Sequence, residues 1–285
     1  MVQIQSSMGK AGQQANSQAN RDADVKRALG RIKHKFIVMS GKGGVGKTST
    51  AVNLSLTLAS MGRRVGIMDV DLHGPDVPRM LGLSGMLDLG ADRKLNPMRH
   101  SKNLCAVSIE SLTPTKDEAI IWRGPVKYAA IQQFIGDVAW GDLDFLLIDA
   151  PPGTGDEPLT VAQTIPDAKA IIVTTPQEVS LADVRKSINF CKTVKMEIFG
   201  LIENMSGLAC PHCHTVIDLF GSGGGEKTAI ATGIPFLGKI PFDQRMVECG
   251  DAGVSFQQQH EDSPVSEAFR AVAKKMDHLL QTSWS

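Results

Sequence analysis

The chain has 285 residues, 42% of them apolar, and its 30 Lys and Arg balance 30 Asp and Glu. That length supports a sizeable α/β core without disulfides, and zero net charge removes the electrostatic case for a generic nucleic-acid or anionic-membrane binder. No stretch approaches the roughly 20 uninterrupted apolar residues of a bilayer span, and five cysteines are too few for a secreted disulfide scaffold, so a soluble protein of the reducing cytoplasm is expected.

Residues 1–34 are rich in Gln, Ser, Asn, Ala and Gly and poor in large apolar side chains, which predicts a flexible polar and basic tail. The rest, 35–285, reads as one domain. Seven apolar runs recur along it: FIVM from Phe36, RVGIMDV ending at Val70, LCAVSIE from Leu104, DFLLID from Asp144, AIIVTT from Ala170, IFGLIE from Ile198 and FLGKI from Phe236. Runs that are apolar on both faces and separated by helical stretches predict an α/β fold, a mainly parallel sheet with helices on both faces. Near the end Phe269, Val272, Met276 and Leu279 keep helical spacing. We read them as a core-packing stripe in preference to a membrane-targeting one.

After the FIVM strand comes Gly41-Lys42-Gly43-Gly44-Val45-Gly46-Lys47-Thr48, a full GxxxxGK[ST] match, with a helical run opening near Ser49. In such a P-loop the glycines let backbone N–H groups turn toward phosphate oxygens and the helix N-terminus adds positive potential. Lys47 is expected on the terminal phosphates and Thr48 on Mg²⁺. Two acidic elements follow. Asp69 and Asp71 end the GIMDVD run, and Asp149 ends DFLLID, so all three are expected at C-terminal strand ends, where parallel sheets bind ligands. Asp149 fits a Walker B role, holding Mg²⁺ through water, while Asp69 is read as supporting its neighbours.

Cys210-Pro211-His212-Cys213 has Cys-X-X-Cys spacing, which turns two thiolates toward one metal or cluster but supplies only half of a four-ligand set. A symmetric dimer would complete it with a second pair. His212 and His214 also permit a Cys₂His zinc site, and the spacing suits a redox dithiol; spacing does not decide among the three. Cys105, Cys191 and Cys249 stand alone; Cys105 and Cys191 read as buried apolar residues, and Cys249, in the polar segment MVECGDAG, as structural. His73 reads as a polar loop residue, and the glycine run at 221–225 as a flexible loop in preference to a second anion cradle.

The GKGGVGKT form resembles the deviant Walker A of the nitrogenase iron protein, septum-positioning and plasmid-partition ATPases. Lys42 matches the lysine that in that group reaches the partner subunit's nucleotide, which implies a nucleotide-sandwich homodimer. Asp71 resembles the switch residue that orients the attacking water, Asn204 the amide that reads the adenine edge, and Pro241-Phe242-Asp243 the segment that closes the base pocket. MDVDLHGP, LLIDAPPGTGDE, TTPQEVSLADVRK, NMSGLACPHC and FGSGGG together resemble the Mrp and ApbC family of iron-sulfur cluster carrier ATPases over roughly residues 35–260.

That resemblance implies ATP, Mg²⁺ and a [4Fe-4S] cluster bridging two subunits through Cys210 and Cys213. It also implies hydrolysis coupled to cluster transfer, with a cluster donor and apo iron-sulfur proteins as partners and neither nucleic acid nor membrane. Lys42, Lys47 and Asp71 are then the expected catalytic residues, and Gly41 through Ser49 with Asn204 the nucleotide-binding set. The tail contains no cysteine, so the second cluster of eukaryotic relatives does not carry over. A septum- or partition-type spatial organiser and a zinc-stabilised regulatory ATPase are the competing readings.

Overall fold

A computed structural model describes residues 22–71, 74–91, 93–112, 124–209, 213 and 215–282. Among the described residues nine strands form one sheet. They are β1 (Ile32–Met39), β2 (Val65–Asp69), β3 (Met98–Arg99), β4 (Leu104–Ser108), β5 (Leu143–Asp149), β6 (Lys169–Thr174), β7 (Ile198–Ala209), β8 (Val216–Ile217) and β9 (Phe236–Phe242). The order is β3-β4-β2-β5-β1-β6-β7-β8, with β9 also paired to β7. All pairings are parallel except β3 with β4 and β7 with β8. Each of the seven apolar runs of the sequence is a strand. β3 and β8, two residues each, lack a run long enough to carry a period.

The α-helices are α1 (22–29), α2 (Lys47–Ser60), α3 (Val77–Met80), α4 (Gly124–Gly136), α5 (Asp156–Thr164), α6 (Glu178–Thr193), α7 (Gly224–Thr232), α8 (Gln244–Ala252), α9 (Phe256–Gln259) and α10 (Pro264–Thr282). Period-2 alternation on the central strands divides the core into two layers. On β1, Ile37 and Met39 join a layer built with Val25, Phe134, Val161 and Ile188 of the helices, while Phe36 and Val38 join the opposite layer with Leu54, Leu58, Phe269 and Met276. Burying both faces is what allows these strands to be apolar throughout, and it demands helices on both sides.

Two expectations meet a different outcome here. The boundary placed at residues 34/35 falls inside β1, and α1 buries Val25 and Leu29 against the first layer, so ordered structure reaches back to residue 22. Two apolar positions one helical turn apart were enough to dock a helix that is otherwise polar. Residues 1–21 of the expected tail lie outside the described residues. The glycine run does not form a free loop: Gly223 caps α7, which begins at Gly224. The α10 stripe packs as read, with Phe269 and Met276 fully buried. Among the described residues no helix is long and apolar enough to cross a membrane.

Candidate functional site

The P-loop is the turn between β1 and α2, at the C-terminal end of the sheet's central strand. Gly46 caps α2 without a side chain, at φ 77°, so the first N–H groups of the helix are left to the loop's own concavity. A Cβ at Gly46 would also fall 2.3 Å from the Asn204 amide nitrogen. Glycine is therefore required twice there, by backbone conformation and by space.

Parallel register sets the carboxylates side by side. Asp149 pairs with Val38 on one side and with Asp69 on the other, so both acids end their strands next to the loop. Lys47 donates from Nζ to Asp149 Oδ1 at 2.6 Å, and the Thr48 hydroxyl donates to Asp149 Oδ2 at 2.7 Å. Asp69 is fully buried and accepts from the backbone N–H groups of Asp71 (3.0 Å) and Val77 (3.2 Å), which fixes the start of the chain leaving β2 and the start of α3. Burial first, and then the Asp149 charge, pushes Asp69 well above the usual carboxylate range. Burial also raises Asp149, against the pull of Lys47. Asp71 is buried near Asp149, whose acidity its charge weakens.

Thr48 and Asp149 face each other closely enough to share one hard cation, an oxygen pair that suits Mg²⁺ held by the hydroxyl and, through water, by the carboxylate. Lys42 is half-buried and forms no ion pair among the described residues; its carbonyl accepts from the Ser40 hydroxyl. Beside the loop opens a cavity of about 310 Å³ lined by Gly46, Ser49, Asn204, Phe242, Met246 and others. Asn204 closes one side and donates from Nδ2 to the Val45 carbonyl at 2.9 Å. Pro241, Phe242 and Asp243 border the same cavity. It therefore brings together the segments singled out for the nucleotide base.

Beyond Asn204, β7 runs on into the antiparallel hairpin with β8 that holds the Cys-X-X-Cys segment. Cys213 is exposed and its thiol donates to the Thr215 hydroxyl at 3.3 Å. Cys105, Cys191 and Cys249 are buried, and burial pushes the Cys105 thiol to about 11 and Cys191 to about 12. Cys210, His212, His214 and His73 lie outside the described residues.

One buried, multiply bonded side chain was not expected from the sequence. Glu203, fully buried, accepts from the N–H groups of Gly223 (2.8 Å) and Gly225 (2.5 Å) and from the Ser206 hydroxyl (2.5 Å). The glycine run is thus an anion cradle whose occupant is the protein's own carboxylate. The available signal was an acid following the apolar run at the start of β7, with a glycine-rich helix start some 20 residues on.

Residues 31–277 match the ParA family in the profile described as NUBPL iron-transfer P-loop NTPase. The chain is 47% identical over 259 residues to the iron-sulfur cluster carrier protein of Methanocaldococcus jannaschii, covering 90% of this chain and 89% of that one. It is 42% identical over 253 residues to the human cytosolic Fe-S cluster assembly factor NUBP2, covering 87% and 93%. Among solved structures it resembles an Archaeoglobus fulgidus nucleotide-binding protein in complex with ADP, with TM-score 0.74 and 37% identity over 86% of this chain and 94% of the other. The Pyrococcus furiosus cell-division ATPase MinD shares the fold, with TM-score 0.64 at 22% identity over 86% and 99%. The motifs, the sheet order that gathers them and these likenesses agree: the chain belongs to the NUBPL-type iron-transfer P-loop NTPases of the ParA family.

Proposed function

We propose that this chain is an ATP-driven carrier of iron-sulfur clusters that works in the cytoplasm. Two copies hold one [4Fe-4S] cluster between the Cys210 and Cys213 pairs and hand it to apo-proteins, with hydrolysis changing the dimer's geometry. The observation that carries this reading is the placement of Cys213. It is the exposed cysteine among the described ones, and it stands on a hairpin that continues directly from the strand touching the P-loop.

In the hydrolytic step Lys47 exchanges Asp149 for the terminal phosphates of ATP. That exchange would free Asp149 Oδ1, Oδ2 being held by the Thr48 hydroxyl, and the carboxylate and that hydroxyl are the groups that would hold Mg²⁺, which would supply charge neutralisation at the phosphates. Asp71 orients the attacking water, with its backbone held by Asp69. Lys42 acts across the dimer on the partner's nucleotide. Asn204 reads the base edge with an amide that offers both donor and acceptor.

Two thiolates cannot satisfy the four corner irons of a cubane, so anaerobic reconstitution is expected to give about four irons and four sulfides per dimer. Cys210→Ala and Cys213→Ala should each lose the cluster while retaining ATP binding. Zinc without sulfide, four irons held stably by a monomer, or full loading of the double cysteine variant would each overturn the bridging cluster.

A further inference from the structure

Glu203, Asn204 and Ser206 lie within four consecutive residues and hold three separate parts of the molecule. Glu203 anchors the N-terminus of α7. Asn204 is tied to the P-loop carbonyl of Val45 and borders the cavity beside it. Ser206 turns back to Glu203, and two residues later Leu208 and Ala209 pair with Ile217 and Val216 of the cysteine hairpin.

Between these attachments the strand is irregular. Asn204 pairs with Ile240 and Leu208 with Phe242, so β7 advances four residues while β9 advances two. Met205 takes φ 55° and Gly207 φ 78°, both in the left-handed region. A bulge of this kind re-aims the strand beyond it, and a non-glycine residue in that conformation persists only where its surroundings hold it. What holds it is on either side. Met205 lies against Gly46 of the P-loop, and Ser206 is held by a carboxylate already fixed by two backbone donors.

We propose that Glu203 is a positioning residue that transmits nucleotide occupancy from the P-loop to the cysteine hairpin, with Ser206 as its link to the bulge. A nucleotide entering beside Gly46 competes with Val45 for the Asn204 amide and displaces Met205. Because Glu203 is pinned by Gly223 and Gly225, the displacement cannot spread back into the sheet and is directed forward through Ser206 into Leu208 and Ala209. A ligand shifts such an equilibrium only through contacts that differ between its two states, and Asn204 and Met205 provide them. The functional meaning of this coupling rests on the reading that Cys210 and Cys213 carry the cargo.

The test uses the full cluster-free chain, so that it does not depend on cluster binding. Amide hydrogen exchange of Met205–Ala209 and Val216–Ile217 is measured with and without magnesium-ATP, beside ATP affinity. In the unmodified protein ATP should change exchange there by about fivefold or more, the low end of ordinary coupling between sites. Ser206→Ala, which leaves the α7 anchor intact, should abolish most of that change with ATP affinity altered less than about twofold, and Ser206→Thr, which keeps the hydroxyl, should restore it. Glu203→Gln keeps an acceptor oxygen for Ser206 and Gly223 but sets an NH₂ against the Gly225 N–H, so it should release part of the α7 anchor and reduce the ATP-dependent change. If that variant does not fold, the two serine variants decide. A hairpin indifferent to ATP, or full sensitivity retained in Ser206→Ala, overturns the inference. Failure to load iron with the exchange response intact would instead overturn only the proposed cargo.

Discussion

The Lys47 ammonium and the Asp149 carboxylate meet at 2.6 Å in the floor of the P-loop, although 102 residues separate them in sequence. The pair is almost fully buried, so each charge depends on the other for compensation in the absence of ligand. Lys47→Ala should therefore abolish ATP hydrolysis and also lower the stability of the nucleotide-free protein by about 3–5 kcal/mol, because it strands a buried carboxylate. Asp149→Ala should abolish hydrolysis as well. Phosphate release and urea unfolding measure the two effects, and near-normal turnover in a variant would remove the substituted residue from the site.

Lys42 behaves differently because nothing among the described residues of its own chain pairs with its ammonium. Lys42→Ala should reduce hydrolysis at least about tenfold, as expected when a cation supplied across an interface is lost, with ATP affinity of the monomer changed less than about twofold. Titration of nucleotide under monomeric conditions beside turnover under dimeric ones makes the comparison. Equal loss in both would place Lys42 in its own subunit's site.

The glycines of the loop are not equivalent. A Cβ on Gly41 would lie 2.3 Å from the Asp183 carbonyl oxygen in α6, backbone that cannot yield as a side chain tip does, whereas one on Gly43 meets nothing nearer than Pro152 at 3.9 Å. Gly41→Ala should cost about 1–3 kcal/mol by overpacking and weaken ATP binding by pushing the loop off α6. Gly43→Ala should stay within about 0.5 kcal/mol of the unmodified protein. Equal stability of the two variants in urea would contradict this packing.

Asp144 provides the pH prediction. Burial alone would raise its pKa, but the Lys33 ammonium at 2.8 Å, the Arg64 backbone N–H at 2.8 Å and the Arg64 guanidinium hold it well below the usual carboxylate range. A depressed folded-state pKa contributes stability above the unfolded value near 3.9, and that contribution is lost as pH falls through the folded value. Asp144→Asn should thus cost about 1 kcal/mol at pH 7, a figure discounted for solvent screening, and the gap from the unmodified protein should close progressively below about pH 4. A gap that persists undiminished in acid would mean the side chain acts by packing and not by charge.

The sheet and the phosphate site were legible because each is written locally. Seven apolar runs have the length of strands, and GKGGVGKT carries its own turn, its own donors and the start of its own helix within eight residues. The buried state of Cys105 and Cys191 was also legible, since Cys105 lies in an apolar run and Cys191 follows Phe190 in a helix-like stretch. Relationships between distant segments were not. That Asp69 and Asp149 share one register position follows from which strands become neighbours, and strand order is set by crossovers packing on both faces, which no local pattern records. The α1 helix looked like tail because its two apolar residues gain burial only from a layer assembled by other parts of the chain. Glu203 shows the difference most clearly. The sequence determined that a carboxylate would follow an apolar run and that a glycine-rich segment would come after it, but a buried carboxylate is tolerable only when donors converge on it. Tertiary structure alone decided that those donors would be the backbone of Gly223 and Gly225 and the hydroxyl of Ser206.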